Sequence, residues 1–342
     1  MKILLVKLSS LGDVVHTLPV VQDIRAAMPD AQIDWVLEKS FVLLLAPLAE
    51  HGALRRIIPC ELRRWRKAPF SAATRREWRR FKSELQSEAY DAVIDLQGLG
   101  KSALIAWLAR LAPCGKRYAL ANQTDGSGYE APTRWVADIA VRMEPHIHAV
   151  QRARELAAKA LVYRPLPVVN FGLKEVFGAK ARAEAATKNI ASEIPAKTVA
   201  FVHGTSRVDK EWPLDHWIAL GQRLLAAGFK VALLHGNAKE EATSQAIAAG
   251  LGNTPALWRL LQLDELTAAL AQCTGVVGVD SGVSHIAVAL GLPHVQIYNF
   301  DTAWRTGPLA SDAAFQFSVF AKPAPSVDAV WQAWQACGPQ PS

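Results

Sequence analysis

The sequence predicts an α/β protein of two Rossmann-like domains facing a central cleft, and three observations carry that expectation. Short β-branched runs alternate with longer helical patterns, the mark of βα units around a parallel sheet. The alternation restarts near residue 198. The 342 residues suffice for about two domains of roughly 150 residues each. At 51% hydrophobic and 20% charged, the composition is globular and excludes bulk disorder.

Lys2–Leu8 is the first strand. Its apolar run stops at Lys7 and Asp13 follows, so it does not read as a signal peptide. A tight turn, Ser9-Ser10-Leu11-Gly12, opens a helix over Gly12–Met28. Gln32–Leu37 and Ala89–Leu96 are strands, the latter ending in Gln97-Gly98, and Ser102–Leu111 is a helix. The second half begins with strand Thr198–His203, helix Leu214–Ala227 and strand Lys230–Leu234. Helices Lys239–Gly250 and Asp264–Ala271 follow, then strand Gly275–Val279, helix Ser281–Leu290 and strand His294–Tyr298. The pattern divides the chain into an N-terminal domain at 1–164, a Pro-, Ala- and charge-rich linker at 165–196, and a C-terminal domain at 197–325. Residues 326–342, with Trp331 and Trp334, are expected to form a helix packing back on the N-terminal domain. The longest apolar stretch, residues 41–49, falls far short of the about twenty that span a bilayer, so the chain reads as soluble.

The net charge of +7 is unevenly placed. Residues 1–170 hold 25 basic and 17 acidic side chains, whereas residues 171–342 hold 13 and 14. Within the first half, residues 55–82 carry eleven Arg and Lys against only Glu61 and Glu77. The four cysteines lie far apart, which argues against a disulfide framework or a cysteine zinc site and fits a reducing compartment. Gly98-Leu-Gly100-Lys101-Ser102 imitates the end of a P-loop, but Asp95 stands where its first glycine belongs. Neither GxGxxG after the first strand nor Asp-x-Asp occurs, so no cofactor and no metal are expected, and phosphate charge must be met by protein groups. His146 and His148 read as structural.

Three segments put chemistry at the carboxyl ends of strands, where open α/β sheets bind ligands. In Val279-Asp280-Ser281-Gly282-Val283-Ser284-His285 a strand runs into a helix whose free N–H groups suit an anion. Ser281 and Ser284 add hydroxyls and His285 lies on the first turn; the plain alternative is an N-cap beside a buried histidine. Gly204-Thr205-Ser206 through Lys210 offers hydroxyls and a lysine to a leaving phosphate, although charged loops are usually only solvated. Ser9-Ser10-Leu11-Gly12-Asp13 places one carboxylate at a helix start, either as a dipole partner or as a general base.

Together, Lys7 to Pro19, Asp95-Leu-Gln-Gly98 with Lys101-Ser102, Asp209-Lys210-Glu211-Trp212-Pro213 and Asp280 to His285 resemble the bacterial lipopolysaccharide heptosyltransferases, glycosyltransferase family 9. The opening segment resembles the first enzyme of that pathway more than the second. The resemblance implies a GT-B fold and an inverting, metal-independent transfer of L-glycero-D-manno-heptose from ADP-heptose to the inner Kdo of Kdo2-lipid A. The setting it implies is the cytoplasmic face of the inner membrane, with the protein peripheral and monomeric. Asp13 would be the base, and Thr205, Ser206, Lys210, Ser281 and Gly282 would hold the diphosphate. Glu240 would reach the ribose, Leu261 would line the adenine pocket, and Asp280 and His285 would position the heptose. Ser10, Gly12 and Lys101 fall on the acceptor side. Where the family has an arginine before Glu-x-Pro, Tyr129 precedes Glu130-Ala131-Pro132, which leaves Arg134 as the acceptor-contact candidate.

Residues 55–82 admit a solvated helix face, a nucleic-acid patch with Trp65, Phe70 and Trp78 among the arginines, or a patch for an anionic acceptor and membrane surface. The third is preferred, with Arg63, Arg64 and Arg66 as contacts and no nucleic acid as partner, because arginine forks suit carboxylates and phosphates. The alternatives are another ADP- or UDP-sugar GT-B transferase, including the second heptosyltransferase, or a non-catalytic nucleic-acid-binding protein.

Overall fold

A computed structural model describes residues 1–178, 194–309 and 315–338. The chain separates into two compact units, Met1–Asn170 and Phe171–Ser342. The linker helix expected to run to Pro195 falls on 179–193, outside the described residues.

The first unit holds strands β1 (Lys2–Val6), β2 (Gln32–Glu38), β3 (Arg56–Cys60), β4 (Ala89–Asp95), β5 (Arg110–Leu120) and β6 (Ile139–Val141). They form one parallel sheet in the order β3-β2-β1-β4-β5-β6. Its helices are α1 (Leu11–Ala27), α2 (Val42–Glu50), α3 (Leu62–Lys67), α4 (Ala72–Leu85), α5 (Gly100–Leu108), α6 (Thr133–Val136) and α7 (Ala149–Leu161). Ile3, Leu4, Leu5 and Val6 are all fully buried, as expected of a central parallel strand covered on both faces.

The second unit holds β7 (Thr198–Val202), β8 (Lys230–Leu233), β9 (Ala256–Leu257), β10 (Gly275–Val279), β11 (His294–Tyr298) and β12 (Gln316–Phe320). Its described helices include α8 (Leu214–Ala226), α9 (Ala238–Gly250), α10 (Leu263–Leu270), α11 (Gly282–Ala289), α12 (Ala303–Thr306) and α13 (Val327–Ala336). The sheet order, β12-β11-β10-β7-β8-β9, repeats the doubly wound order of the first unit. Each sheet therefore has one switch point, where connections leave neighbouring strands in opposite directions. These lie at β1/β4 and at β7/β10.

The C-terminal helix departs from expectation. Instead of serving the first domain, α13 packs on α8, β11 and β12 of the second unit. Val327, Val330, Trp331 and Trp334 recur at helical spacing and join the second core, and Trp334 lies 5.6 Å from Phe229 between ring centroids. Gly275 makes room for that indole, since a Cβ there would stand 2.7 Å from it.

Two basic residues of the 55–82 segment are half-buried and already paired. Arg55 and Arg56 converge on the fully buried Asp34, with nitrogen–oxygen distances of 2.6 and 2.8 Å, and Tyr90 donates to the same carboxylate at 2.7 Å. Buried carboxylates require such compensation. Trp65, Trp78 and Phe81 pack edge to face and tilted against one another beneath α3 and α4, so the two indoles are not a stacking platform for bases.

Candidate active site

At the β1/β4 switch point the chain leaves β1 through Ser9 and Ser10, whose peptide bond is cis, into α1. Gln97, just beyond β4, fixes this turn from the side. Its Oε1 accepts from Leu8 N–H at 2.7 Å and Ser9 N–H at 3.3 Å, and its Nε2 donates to Ser9 O at 2.7 Å. Asp95 sits beneath. Its carboxylate accepts from the Gln97 and Gly98 amides and from Ser102 Oγ, while burial pushes its pKa up to about 6. Gly98-Leu-Gly100-Lys101-Ser102 is thus a strand-to-helix turn anchored by Asp95 rather than a phosphate loop. Gly98 adopts a φ of +79°, and Gly100 N–H donates to Glu130 at 2.7 Å. Lys101 Nζ donates to Ser9 Oγ at 2.9 Å, which brings the acceptor-side candidates Lys101 and Ser10 to one rim.

Asp13 stands at the centre of that rim with 40% of its side chain exposed, open to a substrate. Its Oδ2 accepts from Ser10 N–H at 3.0 Å and Ser10 Oγ at 2.9 Å, and Lys7 Nζ lies 3.4 Å from Oδ1. Burial opposes the charge, but Lys7 and the Ser10 hydrogen bonds outweigh it and hold the carboxyl well below the usual range. Lys7 is itself almost fully buried, and burial lowers its pKa. Glu38, at the carboxyl end of β2, is also buried; desolvation raises its pKa against Arg63 and Lys101, and its Oε1 finds no partner among the described residues.

At the β7/β10 switch point Asp280 directly follows β10 and draws in a lysine and a histidine. Lys210 Nζ lies 2.5 Å from Oδ2 and His285 Nε2 lies 3.4 Å from Oδ1. Desolvation disfavours the Asp280 charge, yet His285 and Lys210 hold it far below the usual carboxylate range. Gln296 Nε2 reaches His285 Nδ1 at 3.4 Å, and Thr205 Oγ1 donates to Asp280 O at 3.3 Å. Ser281 caps α11 by accepting from Ser284 N–H. Ser284 is not a ligand hydroxyl: it is fully buried and donates to Val279 O at 2.6 Å.

Glu240 lies on the first turn of α9, accepting from Gly236 N–H at 2.7 Å and Asn237 Nδ2 at 2.8 Å. It closes over the Gly204 loop so tightly that a Cβ on Gly204 would meet its carboxyl carbon at 2.5 Å. A cavity of about 430 Å³ opens there, lined by Gly204, Thr205, Glu211, Trp212, Asn237 and Glu240. At its floor, His203 Nε2 lies 2.7 Å from Ser244 Oγ, and burial lowers the His203 pKa. Leu261 does not join this cavity. It lines another, of about 540 Å³, with Pro195, Thr198, Lys230 and Trp258.

The structure thus gathers Ser10, Gly12, Asp13 and Lys101 at one switch point. It gathers Thr205, Lys210, Asp280, Ser281, Gly282 and His285 at the other, with Glu240 beside them and Ser206 exposed on the loop. Arg63 and Arg66 are exposed on α3, while Arg64 is already paired with Glu61 at 2.8 Å and with Glu77. Arg134 is exposed on α6. Sequence reasoning passed over Lys7, Gln97 and Asn299, whose Nδ2 donates to Asp209 O and Glu211 O and steadies the lysine loop. A lysine interrupting the first apolar run, directly after β1, was the available signal for Lys7.

Comparison with known proteins shows the family and the fold. Residues 78–330 match the family model of glycosyltransferase family 9 (heptosyltransferase). The chain is 39% identical over 301 residues to lipopolysaccharide heptosyltransferase 1 of Pseudomonas aeruginosa, covering 87% of this chain and 78% of that one. It is 37% identical over 303 residues to the Escherichia coli K12 protein of the same name, covering 87% and 88%. With lipopolysaccharide heptosyltransferase 2 of Salmonella typhimurium the identity is 29% over 325 residues, covering 92% and 87%. The structure matches E. coli heptosyltransferase WaaC with ADP at a TM-score of 0.84 and 30% identity, covering 98% of this chain and 100% of that one. The two parallel-sheet α/β units are therefore those of a GT-B glycosyltransferase, and the higher identities fall on heptosyltransferase 1. The chain belongs to glycosyltransferase family 9, the heptosyltransferases.

Proposed function

We propose that this protein transfers L-glycero-D-manno-heptose from ADP-heptose to the inner Kdo of Kdo2-lipid A, with inversion and without a metal. The carrying observation is the pairing of Lys210 with Asp280 at the start of α11, beside the Glu240 cavity. A diphosphate placed at that helix start meets free N–H groups, the Ser281 and Thr205 hydroxyls and the Lys210 ammonium, which supply positive charge where the leaving group develops negative charge. Glu240 then faces the ribose hydroxyls, and Asp280 and His285 orient the sugar. The similarity to a structure carrying ADP supports the same reading.

On the acceptor side, the Kdo hydroxyl attacks the anomeric carbon as the bond to the diphosphate oxygen breaks. Its proton passes to Asp13, and the bond electrons leave with ADP. Arg63 and Arg66, with Lys101 and Arg134, present donors to the carboxylates and phosphates of the acceptor, while Arg64 is held by its two glutamates. The exposed basic residues of 55–82 also suit the anionic inner-membrane surface, each contributing about 1 kcal/mol near it. No helix among the described residues is long and apolar enough to cross a membrane. The deciding experiment incubates the protein with ADP-heptose and Kdo2-lipid A. A one-heptose mass increment with release of ADP is expected; transfer only to an acceptor that already bears heptose would favour the second-enzyme activity instead.

A further inference from the structure

Helix α5 carries an exposed apolar stripe that neither substrate site uses. Its amino end belongs to the first half-site, through Lys101 to Ser9 and Gly100 to Glu130. Three and six residues beyond Lys101, Leu104 and Trp107 are 44% and 60% exposed, and on the adjoining α6 Trp135 is 72% exposed. The inner face of α5 already buries Ser102, Ala103, Ile105 and Ala106, so the outward stripe is not needed to hold the helix. Indoles combine a large apolar surface with a polar N–H, and placing two of them in water beside a leucine marks an interaction surface. The surroundings are basic. Residues 100–120 contain Lys101, Arg110, Lys116 and Arg117 and no Asp or Glu, and Arg134 precedes Trp135. The neighbouring acids Glu130 and Asp138 accept the Gly100 and Arg117 amides.

We propose that Leu104, Trp107 and Trp135 rest in the headgroup layer of an anionic phospholipid bilayer and so bring the Ser9–Asp13 half-site to a lipid-borne acceptor sugar. Indoles favour that layer, and cations beside them are drawn to its negative charge. One helix links the two functions, because its first turn touches Ser9 and Trp107 lies about 9 Å further along its axis. The inference rests on the proposed lipid-borne acceptor, and it places the membrane contact on a surface distinct from residues 55–82.

The test uses the full chain, as wild type and as the Trp107→Ser/Trp135→Ser double variant, whose changes are at exposed positions. In co-sedimentation with phosphatidylethanolamine/phosphatidylglycerol vesicles lacking acceptor, the variant is expected to bind at least about fivefold less. Vesicles brominated near the headgroup should quench wild-type indole emission, and the variant should lose that quench. Transfer to vesicle-borne Kdo2-lipid A should fall with vesicle binding, while kcat/KM on the deacylated, water-soluble acceptor stays at the wild-type value. Unchanged vesicle binding, or equal losses on both acceptors, would overturn the proposal. So would a wild-type dimer, seen by sedimentation velocity, that the variant loses while vesicle binding holds, since a second copy would then cover the face. The vesicle arm contains no acceptor, so failure of the reaction itself would count against the proposed function alone.

Discussion

Asp13 is built to be charged rather than to be strongly basic. Lys7 behind it and Ser10 beside it keep the carboxylate ionised far into acid, so the base proposed above would be present throughout the physiological range. Asp13→Asn is expected to keep ADP-heptose affinity and lose about 100-fold or more in kcat, read by separate donor-binding and turnover measurements. The counterion gives a sharper test. Lys7→Met removes the charge that most lowers the Asp13 pKa and leaves burial, which raises it, far less opposed, so the pKa should rise. A base with a raised pKa is protonated at higher pH, so the acid limb of kcat/KM should move upward in pH; an unmoved limb would uncouple Lys7 from catalysis. Lys210→Ala should weaken donor binding and turnover together, because the proposed function sets the same ammonium against the diphosphate before and during departure; an unchanged rate would remove it from the leaving-group role. The placement of Asp13, Lys210 and Asp280 beyond strand carboxyl ends could be read from the sequence, because Asp280 follows directly on β10, Asp13 lies on the first turn of the helix after β1, and Lys210 lies on the connection from β7 to α8. Gln97 as a clamp on Ser9 was not, because its partners lie 88 and 89 residues away and meet it only when β1 and β4 pair.

The central strands show the same division between local and distant information. β1, β4, β7, β10 and β11 are short runs dominated by apolar residues, and the sequence pattern located all five. Strands β3, β5, β6, β9 and β12, at or next to the sheet edges, escaped it. β3 reads Arg-Ile-Ile-Pro-Cys, and β5 contains Pro113, Gly115 and a register shift opposite Tyr90 and Ala92, so neither shows a clean alternation or an unbroken apolar run. α13 was located but assigned to the wrong sheet, because amphipathic spacing tells which face is buried and not against what. Burying a polar residue within a strand carries a measurable cost. His294, on β11, is fully buried with Nδ1 2.9 Å from Val276 O and Nε2 unpartnered among the described residues, and burial pulls its pKa down to about 3. The unfolded chain takes up that proton near pH 6.5 whereas the folded chain does not, so stability falls as pH drops below 6.5. Between pH 7 and pH 5 the loss should be about 2 kcal/mol by urea titration, and His294→Gln should remove it. An identical pH slope in that variant would show that other groups carry the effect.

Across the whole molecule the two units share one sheet order and divide the chemistry. The first carries the surplus of positive charge and Asp13, the proposed base, while the near-neutral second carries the helix start, Lys210 and the Glu240 cavity. The basicity is smaller at the surface than the sequence count suggests, since Arg55 and Arg56 are spent on Asp34 and Arg64 on Glu61 and Glu77. Arg63, Arg66, Arg75, Arg76, Arg79 and Arg80 lie exposed on α3 and α4, as suits the anionic acceptor proposed above. If the donor belongs to the second unit, ADP alone should protect it from hydrogen exchange. At a ligand concentration near 100 times Kd the stabilisation should be about 2.7 kcal/mol. Protection should centre on residues 203–210, 236–244 and 280–285, with residues 1–170 changing far less. Lys210→Ala should reduce that protection, whereas Asp13→Asn should leave it intact, because the proposed function sets Asp13 against the acceptor hydroxyl and not the nucleotide. Protection centred on residues 1–170 would reverse the assignment of the two half-sites, and equal sensitivity to both substitutions would dissolve the division of labour between them.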